Sequence, residues 1–299
     1  MTATMFFPKE QPGTGRVVLI GGGGFIGRAI ADSLSSAGVE SRTYGSSDMD
    51  LTAGDAAARL AKLIAPADRV VFLSAVTPSR DRGVDAFMRN NLIGRAAAEA
   101  FEAVKPAHVV YFSSDAVYAF DGQPINETTR PSPPELYGVT HYAREQMMRS
   151  AVGDHRLAIV RPTMVYGPGD PHNSYGPMRF IRECRDDGAI RLFGQGEETR
   201  DYIYYRDVAE IVSRILSDGL TGTLNLAGGQ SVRFRDLASI VTQLVSMDDN
   251  VVTQERRVPI THRTFDIRKI HATFPDLRIT PLRVGLKECI AAESRGQDA

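Results

Sequence analysis

The sequence predicts an α/β fold, a doubly wound parallel sheet with a smaller, more broken region after it. Three observations carry that expectation. The apolar run Val17-Val18-Leu19-Ile20 leads straight into Gly21-Gly22-Gly23-Gly24-Phe25-Ile26-Gly27. Short apolar runs then alternate with helical patterns as far as Val160. Beyond Arg161 the alternation stops, and Pro162, Gly167-Pro168-Gly169, Pro171, Gly176-Pro177 and Gly194-Gln195-Gly196 break the chain.

Each element has a local reason. Four successive aliphatic residues suit a parallel strand covered on both faces. Gly21, Gly24 and Gly27 recur at a three-residue interval. A side chain there would block a tight reversal, the approach of a diphosphate to backbone N–H groups, or helix-on-strand packing. Phe25, Ile26, Ala29, Ile30 and Leu34 mark the inner face of the next helix. Its N-terminal amides point at the turn, where a dinucleotide diphosphate is the expected anion. Val39–Tyr44, Val70–Leu73, Val109–Phe112 and Leu157–Val160 read as further strands. Asp85–Val104 reads as a long helix with Phe87, Ile93, Ala97, Ala100, Phe101 and Val104 inward, and another helix begins near Tyr137. Right-handed crossovers join such units, and ligands bind at the carboxyl ends of the strands.

Size and charge narrow the function. A chain of 299 residues has room for one large or two smaller domains. A net charge of −1, with both signs interspersed, gives no basic face for nucleic acid. No apolar stretch approaches membrane-spanning length. Pro8, Lys9, Glu10, Pro12 and Gly13 interrupt the start, so no secretory signal is read and a cytoplasmic location is expected. Cys184 and Cys289 stand far apart and read as reduced thiols. The six histidines form no HxxxH or HxxH pair, so no metal is expected.

Three segments bring reactive groups to strand ends. Ser113-Ser114-Asp115-Ala116-Val117-Tyr118 follows one strand, and Leu73-Ser74-Ala75-Val76-Thr77 ends another. Tyr137 and His141 lie one turn apart on a helix face. These motifs resemble the extended short-chain dehydrogenase/reductases, especially the NAD(P)-dependent nucleotide-sugar epimerases, dehydratases and ketoreductases. Gly21–Gly27 is similar to that family's GxxGxxG turn, and Asn91-Leu92-Ile93-Gly94 to its asparagine-containing helix. Ser113–Tyr118 resembles its Ser/Thr-Ser/Thr-x-x-Val-Tyr strand end, and Arg161–Pro168 its Arg-Pro-x-x-Val-Tyr-Gly-Pro segment. Gly194-Gln195-Gly196, Arg200-Asp201-Tyr202-Ile203 and Asp207-Val208-Ala209 resemble its substrate-domain stretch.

The resemblance implies a Rossmann-type sheet with a discontinuous C-terminal substrate-binding region. The expected division is a mobile lead-in over 1–15, a dinucleotide-binding domain over 16–166 and a mainly substrate-binding region over 167–299. Part of 201–230 returns to the sheet. The resemblance also implies that Gly21, Gly24, Phe25, Ile26, Gly27, Asp50, Leu51, Ser74, Ala75, Asn91, Tyr137, His141 and Pro162 hold NAD or NADP. Ser114 would hydrogen-bond the reacting sugar oxygen, with Tyr137 as general acid/base. Thr77, Asp115, Met164, Arg200, Tyr202 and Arg263 would contact a nucleotide sugar, and loops around Asp170–Tyr175 would border its pocket. The arginines suit a diphosphate because a guanidinium forms bidentate bonds to phosphate. Relatives pair through helices such as those around Asp85–Val104 and Tyr137–Ser150, so a homodimer is expected.

Two positions depart from the family pattern. His141 stands where the family has the lysine that lowers the tyrosine's pKa and grips the nicotinamide ribose. A histidine there donates a ring N–H to a ribose hydroxyl and, when protonated, favours the phenolate. Met164 replaces an asparagine that touches substrate, leaving an apolar contact. The residue after the second strand is Gly45 rather than a carboxylate. That leaves room for the 2′-phosphate of NADP, with Arg28 or Arg42 in reach, unless Asp48 or Asp50 folds back and favours NAD. Three readings stand: an epimerase or ketoreductase of nucleotide sugars, a dinucleotide-binding sensor without turnover, and a reductase of small carbonyl compounds.

Overall fold

The computed structural model describes residues 15–78, 81, 83–119, 124–172, 176–247, 250–256 and 259–295. All of the expected lead-in except Gly15 lies outside the described residues. The chain begins β1 (Val17–Ile20), α1 (Phe25–Ser36), β2 (Ser41–Tyr44), α2 (Ala56–Leu63), β3 (Arg69–Phe72), α3 (Val84–Val104) and β4 (His108–Phe112). It continues with β5 (Pro124–Ile125), α4 (Leu136–Val152), β6 (Leu157–Pro162), β7 (Met164–Tyr166), α5 (Pro177–Asp187), β8 (Ile190–Phe193), β9 (Thr199–Arg200) and β10 (Tyr202–Tyr204). Then come α6 (Tyr205–Asp218), β11 (Gly222–Leu226), β12 (Val232–Arg233), α7 (Phe234–Leu244), β13 (Val251–Gln254), β14 (Thr264–Phe265), α8 (Arg268–Thr273) and α9 (Leu282–Arg295).

Two compact units divide these elements. The first holds the described residues up to Ala119, Glu127–Pro162 and Val208–Leu226. Its six strands run in the order β11-β6-β4-β3-β1-β2, every neighbouring pair parallel. This is a Rossmann-type sheet. The strand order reverses at β1, between β2 and β3, which opens a crevice at the carboxyl ends of β1 and β3. The four residues of β1 are all buried, as a strand covered on both faces requires. β2 is the sheet's edge and begins at Ser41, two residues later than the apolar pattern from Val39 predicts. The sequence pattern does not announce α2, whose eight residues bury only Ala56 and Leu60.

One core of this unit gathers Val18, Ile20, Val70, Phe72, Phe101, Tyr111 and Ile159. The Phe72 and Phe101 rings meet edge-on, 5.9 Å between centroids. Helix α3 buries Ile93, Ala97, Ala100 and Phe101 as its pattern predicts, but Phe87 and Val104 are only half-buried. Among the described residues, no helix is long and apolar enough to cross a membrane.

The second unit takes Thr163–Asp207, the described residues from Ala227 on, and 124–126. Its sheets have two strands each: β7 with β10, β8 with β13, β9 with β12, and β5 with β14. β7 thus pairs with β10 rather than joining the large sheet. Tyr166, Phe180, Leu192, Tyr204, Leu237 and Leu286 form its core with Cys184 and Cys289. Both cysteines are free. Burial, first of all, pushes their thiols up, to about 11 and about 12 respectively.

Replacing Phe101 with alanine removes a fully buried ring from this packing. The expected loss is about 3–5 kcal/mol of stability, read from the shift in urea midpoint at unchanged slope.

Candidate active site

The glycine turn at the end of β1 is built by close approach. Gly21 has a φ of +86°, and a Cβ on Gly27 would lie 2.4 Å from the Gly22 Cα. Helix α1 therefore starts tight against the turn. Gly24 is its N-cap, and no side chain caps it. Backbone donors without a side-chain competitor, in a cradle that a Cβ would spoil, fit a dinucleotide diphosphate. Phe25 is buried, Ile26 half-buried and Gly24 exposed.

At the end of β2, the Asp48 carboxylate folds back and accepts the Gly45 N–H at 2.6 Å. The space that the sequence leaves for a 2′-phosphate thus has an acidic group beside it. Arg28 donates to the Gly23 carbonyl at 2.6 Å, and Arg42 pairs with Glu40 at 3.9 Å. Asp50 is exposed and accepts from the Thr52 N–H and hydroxyl at 2.8 and 2.7 Å, which lowers its pKa, while Leu51 is buried.

After β3, Ser74, Ala75 and Thr77 are half-buried. Asn91 does not reach this segment. It donates to the Phe87 carbonyl of its own helix at 2.9 Å. Its buried neighbour Asn90 stands there instead. It accepts from the Val76 N–H at 2.8 Å and donates to the Val76 carbonyl at 2.9 Å. A motif position leaves the facing residue open by one place. The helix pattern that puts Ala86, Asn90, Ile93 and Ala97 inward was the available signal.

Ser114 and Tyr137 come together. Ser114 caps the single helical turn over Asp115–Val117, accepting the Ala116 N–H at 3.1 Å. A Cβ on Gly138 would sit 2.1 Å from the Ala116 carbonyl oxygen, so the first turn of α4 lies directly against that turn. Ser114 lies near enough to Tyr137 to act on its phenol. Burial pushes the Tyr137 phenol up to about 12, and the Asp115 carboxylate adds to the rise. Arg144 and the Ser114 hydrogen bond act in the opposite direction.

His141 is 2% exposed and packs edge-on to Tyr137, 4.6 Å between ring centroids. Its Nδ1 lies 3.2 Å from the Tyr111 hydroxyl, and its Nε2 has no partner among the described residues. Burial, and then Arg144, hold its pKa well below the ordinary histidine value. The imidazole is therefore neutral at neutral pH, and the expected help from a protonated His141 is absent. The unpartnered Nε2 remains able to hydrogen-bond a ligand.

Beneath these groups lies a buried network. Glu145, fully buried, accepts from Arg161 Nε at 2.8 Å and Nη2 at 2.6 Å, and from the Ser113 hydroxyl at 2.6 Å. Arg161 Nη1 donates to the Tyr118 hydroxyl at 2.7 Å, which donates to Asn225 at 2.8 Å. Pro162 follows Arg161 at the buried end of β6.

In the second unit, Met164 and Tyr202 are direct partners across β7 and β10. Arg200 donates to the Thr261 carbonyl at 2.8 Å and hydroxyl at 2.7 Å. The buried Arg263 donates its backbone N–H to the Thr199 carbonyl at 3.0 Å, beside Arg200. Asp170 accepts the His172 N–H at 2.9 Å, and the rest of the expected pocket loop, 173–175, lies outside the described residues.

Residues 17–227 match the NAD dependent epimerase/dehydratase family, and the chain belongs to that family. It is 31% identical over 245 residues to dTDP-4-dehydrorhamnose reductase of Mycolicibacterium smegmatis, covering 78% of this chain and 70% of the relative. A shorter match, 29% identical over 137 residues, is to dTDP-4-dehydro-6-deoxy-D-allose reductase of Streptomyces bikiniensis. It covers 44% of this chain and 41% of that relative. Among solved structures, MoeE5 in complex with UDP-glucuronic acid and NAD superposes with a TM-score of 0.82 at 24% identity, covering 94% and 100% of the two chains. RMD from Pseudomonas aeruginosa complexed with NADPH gives 0.77 at 21%, covering 94% and 100%. These structural likenesses speak to the fold.

Arg161→Met leaves Glu145 buried without its cation, and about 3–5 kcal/mol of stability is expected to go in urea unfolding. A second expectation concerns pH. Below about 6.5, a histidine in the unfolded chain takes a proton that folded His141 refuses. Stability then falls with pH by up to about 1.4 kcal/mol per unit, and above that range His141 contributes no slope. His141→Gln is expected to lose this share of the slope in urea unfolding compared between about pH 7.5 and pH 5.

Proposed function

We propose that the protein is an NAD(P)-dependent epimerase or ketoreductase of a nucleotide-activated sugar. The observation that carries this reading is the packing of the first turn of α4, which holds Tyr137, against the turn that Ser114 caps at the carboxyl end of β4, in the same unit as the glycine turn. Bound NAD(P) would supply the hydride acceptor or donor. Gly21–Gly27 would hold the diphosphate, with Asp50, Leu51, Ser74, Ala75 and Pro162 lining the rest of the cofactor site. Asp48 beside Gly45 favours NAD over NADP, since a 2′-phosphate would meet a carboxylate there.

Ser114 orients the reacting sugar oxygen through its hydroxyl, and Tyr137 gives or takes the proton at its phenolic oxygen. His141, neutral, offers Nε2 to a ribose hydroxyl. Asp115, Thr77, Met164, Arg200, Tyr202 and Arg263 are the residues that the family resemblance would assign to the nucleotide sugar. The names of the relatives make dTDP-sugars the first substrates to try. The reduced thiols accord with a cytoplasmic location, and the exposed Met88 and Leu92 of α3 with a homodimer through that helix.

A second reading keeps one observation of its own. A phenol pushed up to about 12 beside a neutral imidazole is a poor acid/base at neutral pH, which suits a sensor that binds without turnover. Mass spectrometry of co-purifying ligands, then assay with dTDP-, UDP- and GDP-sugars, separates the two. Turnover is expected, with Tyr137→Phe lowering kcat by about 10²–10⁴-fold at similar nucleotide-sugar affinity. NAD(P)H consumption marks a reductase, and interconversion without it an epimerase. Binding without turnover at any pH from about 6 to 9 would leave the sensor.

A further inference from the structure

The family's lysine is missing at position 141, yet α4 carries a buried cation three residues further on. Tyr137, His141 and Arg144 stand at i, i+4 and i+7, one stripe of a helix. Resting on the reading of Tyr137 as the proton carrier, we propose that the Arg144 guanidinium supplies the positive charge the lysine would have supplied, acting as a positioning residue that favours the ionised Tyr137 phenol.

Arg144 is completely buried. Its Nη2 donates to the Ser74 carbonyl at 2.6 Å, and its Nη1 reaches Asn90 Oδ1 at 3.4 Å. The charge is thereby pinned beside the end of β3, at the crevice. Among the described residues it has no carboxylate partner, because the adjacent Glu145 is taken by Arg161 and Ser113. Two aromatic rings do part of a counter-ion's work: the guanidinium carbon lies 5.1 Å from the Phe72 ring centroid and 5.4 Å from that of Tyr111. Gly94 gives the side chain its passage, since a Cβ there would lie 2.6 Å from Arg144 Cγ.

The charge faces Tyr137 through a continuous stack. Tyr111 bonds His141 at 3.2 Å, and the His141 ring stands 4.6 Å from that of Tyr137. A buried cation without a counter-ion is costly, and such groups gather where their field is used. Among the described residues, Asp115 opposes ionisation; Asp81, paired with Arg89, and Glu135 line the same cavity as Tyr137, and Glu145 is neutralised by Arg161. Arg144 acts against that rise in Tyr137 and depresses His141. The neutral His141 and the buried Arg144 then explain one another. A lysine at 141 would place two cations on one buried face, so the charge has moved and a neutral ring fills its old position.

The test follows the phenol itself, without substrate or turnover. The full chain carrying 3,5-difluorotyrosine at position 137, whose phenol is intrinsically more acidic, is titrated by ¹⁹F NMR. Arg144→Met is expected to raise that titration by about one unit or more. Arg144→Lys and His141→Gln are each expected to move it by less than about half a unit. The double variant His141→Lys/Arg144→Met is expected to bring it back to within about half a unit of the parent. A folded Arg144→Met protein with an unmoved phenol would overturn the proposal. If Arg144→Met does not fold, the other two single variants decide: a rise of about one unit in either overturns it, and two unmoved titrations support it. Failure to turn over nucleotide sugars would count against the function proposed above while leaving this titration readable.

Discussion

The bidentate contact between Arg161 and Glu145 is the constraint on which the site depends. It joins the end of β6 to the middle of α4, and Ser113 hangs its hydroxyl on the same carboxylate. Tyr118 and Asn225 extend the network to the strand beside β6. Two apolar residues of equal volume would fill the space at similar or greater stability. They would not set the rotation of α4 about its axis. Directional bonds do, because a planar fork meets a carboxylate in few orientations. With Glu145 held, Arg144, His141 and Tyr137 have defined positions on the same helix.

Parallel pairing supplies the rest of the convergence. Ile20 pairs with Phe72, Phe72 with Tyr111, and Phe112 with Val160, so these adjacent strands finish along one edge of the sheet. The residues that follow them are Gly21, Ser74, Ser113–Ser114 and Arg161–Pro162. Segments distant in the chain thus contribute neighbouring groups without any long excursion. The first turn of α4, which carries the Tyr137 phenol, packs against the turn at the third of these ends.

Much of this was legible beforehand, for reasons that differ by element. Apolar runs and the glycine interval are local properties, so β1, β3, β4 and β6 and the opening of α1 follow from them. The roles proposed for Ser114 and Tyr137 come from the resemblance of their motifs to the family's, not from a local property of the chain. Other features depend on contacts that no window of sequence contains. Asn90 rather than Asn91 faces β3 because of how α3 packs, and the two residues are alike in every local respect. Arg144 reads as an ordinary helix surface residue until Phe72, Tyr111 and Gly94 surround it. Asp48 reaches Gly45 only through a loop reversal. β7 looks like a continuation of β6, and its true partner, β10, lies about forty residues further along. Pairing over such a separation is not encoded in hydrophobic periodicity.

The two cysteines have a practical side. A thiolate, not a thiol, attacks maleimides and iodoacetamides, and both sulfurs here are sealed within packed side chains with their ionisation suppressed. The native chain is thus nearly silent toward such reagents while folded. A cysteine engineered onto the surface would take a dye or spin label almost alone, and the two native residues would report, by becoming reactive, the moment the second unit's core comes apart.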